Sequence, residues 1–205
     1  MYALVENNQF VKLLNSNKGI TIGDNQYPKS IYSLWSNAER QAIGIYEVSV
    51  DNTNKKDEAY YINTNISYSF DGSSVIGSYG TATPKPLDDV LFTQADADLI
   101  PSDKAIGDVK QYGLKGLEIA KIKAQAGGLL APTDWHVVKA TEVADYSVPT
   151  DIATYRANVR AKSNEMETQI NACGTVEDLK TLFTWTEDEN GVVSRPLVEF
   201  PSLDG

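Results

Sequence analysis

The sequence predicts an α+β protein, with a β-rich N-terminal module and a helical C-terminal module that ends in a short hairpin. Two observations carry this. Eight of the 11 tyrosines stand at or before Tyr79, in a half also crowded with Asn, Ser and Thr, a composition that suits strands and tight turns. Ala, Lys and Glu take over after residue 104, as helices prefer. The predicted organisation is a front module over residues 1–82, an extended acidic connector over 83–104, and a helical domain over 105–205. No internal repeat is found at periods of 20–50 residues, which argues against solenoids and β-helical shafts.

The front opens with two apolar runs, Tyr2-Ala-Leu-Val-Glu6 and Gln9-Phe-Val-Lys-Leu-Leu14, around Asn7-Asn8. That pattern predicts a hairpin. Ser36-Asn-Ala-Glu39 has capping-box spacing, so a short helix is expected from Asn37 to Ala42, stopping at Gly44. Ile45 to Val50 alternates with period two, as a half-buried strand does. From Tyr60 the even positions Tyr60, Ile62, Ile66, Tyr68 and Phe70 are assigned to one face, interrupted at Thr64. Asp71-Gly72 supplies the next turn, before a strand from Val75 to Tyr79. Tyrosine gives large contact area for two torsions, and Ser and Asn adapt as hydrogen-bond partners, which makes Tyr60 and Tyr68 candidate interaction residues. A plain solvated sheet rich in β-formers explains the same composition.

In the connector, Pro84, Pro86 and Pro101 favour extended chain, and Asp88, Asp89, Asp96, Asp98 and Asp103 favour solvation. Asp96-x-Asp98 begins like a calcium loop, but Ile100 and Pro101 stand where the third ligand and the glycine belong. No metal site is expected.

Three helices are predicted behind it. The first runs from about Gly107 to Ala126 and stops at Gly127-Gly128; its apolar residues Val109, Tyr112, Leu114, Ile119 and Ile122 spread over more than one side. The second is short, starting near Thr133-Asp134 after Pro132 and carrying Val137, Val138 and Val143. The third runs from Asp151 to Ala172, entered through Val148-Pro149 and closed at Cys173-Gly174. Its residues Ile152, Tyr155, Val159, Met166, Ile170 and Cys173 fall within about 80° of arc. Thr175-Val-Glu-Asp178 caps a last turn through Leu182, and Glu189-Asn190-Gly191 turns a terminal hairpin.

Composition removes several function classes. Eighteen bases against 28 acids give a net charge of −10, which argues for solubility and against nucleic-acid binding. No run approaches 18 apolar residues, so membrane insertion is not expected. The first residues lack a basic region followed by an apolar run, and no signal peptide is expected. One cysteine, Cys173, and one histidine, His136, leave no disulfide, no cysteine-built metal site and no two-imidazole site. A Ser–His–Asp triad would have to use His136, and no G-x-S-x-G elbow, phosphate loop or dinucleotide fingerprint appears. A Cys173–His136 pair is conceivable, but Cys173 falls on the apolar stripe of the third helix and reads as core. Carboxylate pairs occur in any acidic chain and carry little signal for sugar cleavage. Neither an enzyme nor a cofactor is expected.

The stretch with the most character is Leu129-Leu-Ala-Pro-Thr-Asp-Trp135. Either Thr133 or Asp134 can cap the second helix, and Trp135 can lie against the preceding apolar turn. One reading is a structural corner, in which removing a buried Trp135 would cost roughly 3–5 kcal/mol. The other is a ligand platform.

This segment, followed by Val148-Pro-Thr-Asp-Ile152, Tyr155-Arg156 and Arg160, resembles a domain that recurs in bacteriophage tail and tail-fibre-associated proteins. The resemblance covers about Lys110 to Phe183. Tyr2 to Leu14, Leu34-Trp35 and Glu39 through Gly44-Ile45-Tyr46 resemble, more loosely, the start of many such proteins. It implies a non-enzymatic tail protein, fibre-associated or an adaptor, made in the host cytoplasm and carried in the virion. Its partners would be other tail or fibre proteins. The alternatives are a tail-fibre assembly chaperone and, more remotely, a glycan-cleaving tail protein. The resemblance also raises a homotrimer joined through the third helix, against a monomeric intrachain bundle. Heptad lettering puts Lys162 and Gln169 in one core position there, so a full dimeric zipper is not expected.

Overall fold

β1 (Tyr2–Glu6) and β2 (Gln9–Leu14) form the predicted hairpin, with Asn7 and Asn8 taking the left-handed backbone of its turn at φ 52° and 61°. Asparagine tolerates that region better than most residues. The structure is a computed structural model that describes residues 1–99 and 103–203. Its contacts divide it into two units, residues 1–83 and residues 84–205. Strands dominate the first and helices the second, and the chain is α+β as expected.

In the first unit a small hairpin of β3 (Ile20–Ile22) and β4 (Asn25–Tyr27) precedes a one-turn α1 (Ile31–Leu34). The Ser36–Glu39 capping box then starts α2 (Asn37–Ala42), with both reciprocal hydrogen bonds present. Gly44 ends it at φ 81°, where a side chain would stand 2.6 Å from the Val5 carbonyl oxygen. β5 (Ile45–Asp51) follows, then β6 (Tyr61–Ile62), β7 (Ser67–Phe70) and β8 (Val75–Ser78). The main sheet runs in the order β2-β1-β5-β8-β7, and only the β5–β8 pair is parallel. Alternation sorts its side chains onto two faces. Ala3, Val5 and Val75 are buried on one, with Phe10, Tyr46, Val48, Tyr68 and Phe70 around them. On the other, Ile45 packs with Ile31 and Tyr32. β9 (Thr83–Pro84), the partner of β6, marks the end of the unit.

One face assignment needs correction. Tyr60 lies before β6, and the strand is Tyr61–Ile62, with Tyr61 buried and Ile62 57% exposed. Both Tyr60 and Tyr61 amides donate to the Asp57 carbonyl. That turn resets the alternation, so a register counted from Tyr60 exposes the wrong residue. Tyr68 and Phe70 do share the face assigned to them.

The second unit begins where an extended connector is expected, and much of it is ordered instead. β10 (Val90–Leu91) pairs antiparallel with β11 (Val109–Gln111), and between them lies α3 (Gln94–Leu99). Thr93 and Asp96 close a reciprocal pair at its start, with the Thr93 amide donating to Asp96 at 2.9 Å. Ile100 and Pro101, on which the calcium-loop argument turned, lie outside the described residues. The connector acids are also not merely solvated. Asp89 accepts from the Gly113 amide at 2.8 Å, and Asp88 pairs with Lys115 at 3.0 Å.

These contacts displace the first long helix, α4, to Leu114–Leu130. Gly107 turns at φ 94°, Val109 enters a strand, and Gly113 becomes the helix cap. The connector carbonyls of Pro86 and Leu87 accept from the Leu114 and Lys115 amides, satisfying donors that a helix start leaves free. The helix then runs through Gly127-Gly128. α5 (Asp134–Glu142) follows a single 3-10 turn at Ala131–Thr133, and α6 (Thr150–Ala172) packs on α4. Tyr155 beside Leu129 and Glu167 beside Lys123 set α4 and α6 antiparallel. Within α6, Tyr155, Val159, Met166 and Ile170 are buried, as is Cys173 just after it. Burial pushes the Cys173 thiol up, as for a core cysteine. Thr175 and Asp178 cap α7 (Val176–Phe183) by the predicted box. β12 (Thr186–Glu187) and β13 (Val193–Ser194) make the terminal hairpin. Its outgoing strand returns to the helices: Leu197 is buried and its amide donates to Leu182. Among the described residues no helix is long and apolar enough to cross a membrane.

Candidate interaction site

The predicted corner is real, but Arg156 builds it rather than Trp135. The Arg156 side chain emerges from the second turn of α6 and is buried. It donates to the Leu130 carbonyl at 3.0 Å and to the Thr133 hydroxyl at 2.6 Å, and pairs with Asp134 at 2.8 Å. The Thr133 hydroxyl in turn donates to Leu130 at 2.7 Å. One guanidinium thus satisfies a carbonyl at the end of α4 and neutralises an acid in the first turn of α5. A cation at a helix C-terminus and an acid at an N-terminus are each favourable. Tyr155 and Val159 hold the last turn of α4 from the same side, packed with Ala126, Leu129 and Leu130. This packing carries the helix through Gly127-Gly128, which local propensity alone would make a stop.

Two capping assignments therefore change. Thr133, 3% exposed, makes no cap bond to α5, because its hydroxyl is engaged with Leu130 and Arg156. Asp134 is the first helical residue and serves as the ion-pair partner of Arg156. Arg160 stays outside the cluster: it is exposed, with one long bond of 3.4 Å to the Arg156 carbonyl.

Trp135 is 53% exposed, so the anchor role assigned to it is overturned. Asp134 is held by Arg156, and the next residue of the helix is turned outward. The indole stacks on His136 with centroids 3.7 Å apart, and Tyr146 lies 6.4 Å from it at 29°. His136 Nδ1 and the Tyr146 hydroxyl share a hydrogen bond. Lys139 stands 4.3 Å over the Tyr146 ring and 5.8 Å from the indole. These four side chains form a small aromatic ridge under a cation. Val137 and Val138 are also exposed, and α5 has no buried residue of its own. Sequence reasoning missed His136, Lys139 and Tyr146 as members of the group. Lys139, four residues after Trp135, was the readable signal, since that spacing places two side chains on one helix side.

The tyrosines of the front are used differently. Tyr68 stacks on Phe10, Tyr46 meets Phe70 edge-on, and Tyr2 packs against Tyr32. Tyr60 is half-buried. Most of these rings build the sheet's own faces, which favours the plain-sheet reading over a tyrosine-lined contact surface. Among the described residues no group of three or more His, Cys, Asp or Glu could hold a metal ion. Family models, curated proteins and solved structures were each compared with the chain, and none matches.

Proposed function

We propose that this chain is a non-enzymatic bacteriophage tail protein, fibre-associated or an adaptor, which docks to other tail components through the ridge on α5. The observation that carries the docking role is the exposure of Trp135 on a corner locked by Arg156. A rigidly held, half-open indole flanked by exposed valines is the kind of aromatic anchor that protein interfaces use. The tail assignment rests on the resemblance of residues 110–183. The protein is made in the host cytoplasm and resides in the virion. The apolar stripe of α6 is covered within the chain by α4 and the returning tail, so a homotrimer would form through another surface.

Mass spectrometry of purified particles tests this reading. Stoichiometric copies in the particle support a structural component, and Trp135→Ala should then lower incorporation while the protein still folds. Absence from the particle, with binding to fibre protein during assembly, would instead identify a tail-fibre assembly chaperone.

A further inference from the structure

Among the described residues, three lysines have no hydrogen-bond, ion-pair or ring partner: Lys12, Lys18 and Lys29. Every other lysine has one. In a chain of net charge −10, an unpaired ammonium group is the exception, and the three are not scattered. Between Gln9 and Trp35 the sequence holds one acid, Asp24.

All three line cavities that share one lining residue, the buried Tyr32. The first cavity, about 370 Å³, is bounded by Lys29, Ser16, Ser30, Ser33 and Tyr2. A second, about 240 Å³, is bounded by Lys12, Lys18, Asn15 and Ile20. Tyr2 and Tyr32 pack at 5.2 Å, and the Tyr2 hydroxyl donates to the Tyr32 carbonyl at 3.2 Å, which fixes the wall between them. Burial pushes the Tyr32 hydroxyl pKa up, so the wall adds no negative charge at neutral pH.

We propose that these paired cavities bind an anionic carbohydrate or polyol, a hydroxyl-rich ligand bearing phosphate or carboxylate groups. Lysine is a compact point charge that accepts either group without a fixed fork geometry. The serine hydroxyls and the Asn15 amide match the ligand's hydroxyls. Concave spaces of this size suit a small ligand or a few residues of a glycan chain rather than a flat protein surface. The site lies in the first unit and does not depend on the docking role of α5.

Calorimetric titration of the full-length protein tests the proposal with four probes: trigalacturonate, a glycerol-phosphate oligomer, maltotriose and a hexa-aspartate peptide. The expected result is binding of trigalacturonate or the glycerol-phosphate oligomer, with Kd below about 1 mM; which one binds identifies carboxylate or phosphate as the recognised group. The triple variant K12Q/K18Q/K29Q should weaken that binding at least about tenfold. K121Q/K162Q/K180Q removes the same charge from helix surfaces and should leave it unchanged. Because the three lysine side chains make no hydrogen bond, ion pair or ring contact within the described residues, the first variant should melt like the wild type. No binding of either anionic probe would overturn the proposal. So would equal loss in both triple variants, equal binding of maltotriose, or hexa-aspartate binding as tightly as the saccharides.

Discussion

Phe10 and Tyr68 stack with ring centroids 5.1 Å apart and planes 22° from parallel, although they stand on the two edge strands of the sheet, β2 and β7. The five strands therefore curl until their edges meet through side chains, although β2 and β7 are not ladder partners among the described residues. The stack covers the face that buries Ala3, Val5 and Val75. A double-mutant cycle of Phe10→Ala and Tyr68→Ala should return a coupling of about 0.5–1.5 kcal/mol by chemical denaturation. Additive effects would mean that the edges do not depend on each other.

Arg156 and Arg160 lie one turn apart on α6 and should behave very differently. Arg156→Ala leaves the Leu130 carbonyl and the Thr133 hydroxyl without their charged donor. It should cost on the order of 3 kcal/mol. Arg160→Ala should stay within about 0.5 kcal/mol, as for an exposed side chain with one long bond. Asp134→Asn should also be mild, about 1 kcal/mol or less, because that carboxylate is 58% exposed and screened. Urea melts of the three variants give the order directly.

Trp135→Ala should lower stability by about 1 kcal/mol or less, since the indole is half-open and loses mainly its stack on His136. A loss of 3–5 kcal/mol in thermal melting would restore the anchor role.

Gly127 and Gly128 sit inside α4, and a methyl group on either would meet nothing within 4 Å. Gly127→Ala and Gly128→Ala should each stabilise by roughly 0.5–1 kcal/mol, through propensity and a less flexible unfolded chain. Gly116→Ala should do the reverse, because its methyl carbon would stand 2.2 Å from an Asp89 carboxylate oxygen.

The Asp71 carboxylate accepts from the Ser74 and Ser73 amides and from the Ser73 hydroxyl, which brings its pKa down to about 2. The folded value lies below the unfolded one, so the stabilisation is present above about pH 4 and is lost as pH falls toward 2. Asp71→Asn should therefore flatten that part of the acid limb in a series of melts from pH 5 to pH 2. An unchanged slope would mean that the turn does not feel its carboxylate.

What the sequence disclosed was whatever closes within a few residues. The Asn7-Asn8 turn, the boxes Ser36–Glu39 and Thr175–Asp178, and the stripe of α6 each depend on near neighbours, and each appears where it was expected. The misreadings share a different cause. α4 starts late because Asp89 reaches Gly113, and it ends late because Arg156 reaches Leu130. Tyr60 fell on the wrong side because of a turn at Asp57. At the candidate site the segment was legible, but the direction of Trp135 was not. That direction follows from which neighbour a distant arginine holds.

The single parallel pair in the first sheet has a kinetic consequence. β1–β2 and β7–β8 are local hairpins, each joined by a short turn, and such units form in microseconds. The β5–β8 register, Val48 against Val75, must wait until residues 52–74 have been gathered in. Closing that longer loop costs about 1–2 kcal/mol more entropy than closing a hairpin turn. The front of the protein therefore assembles as two early hairpins joined through β5 along two late seams, β1–β5 and β5–β8, and the speed of that joining sets how long its edge strands stay open to the wrong neighbours.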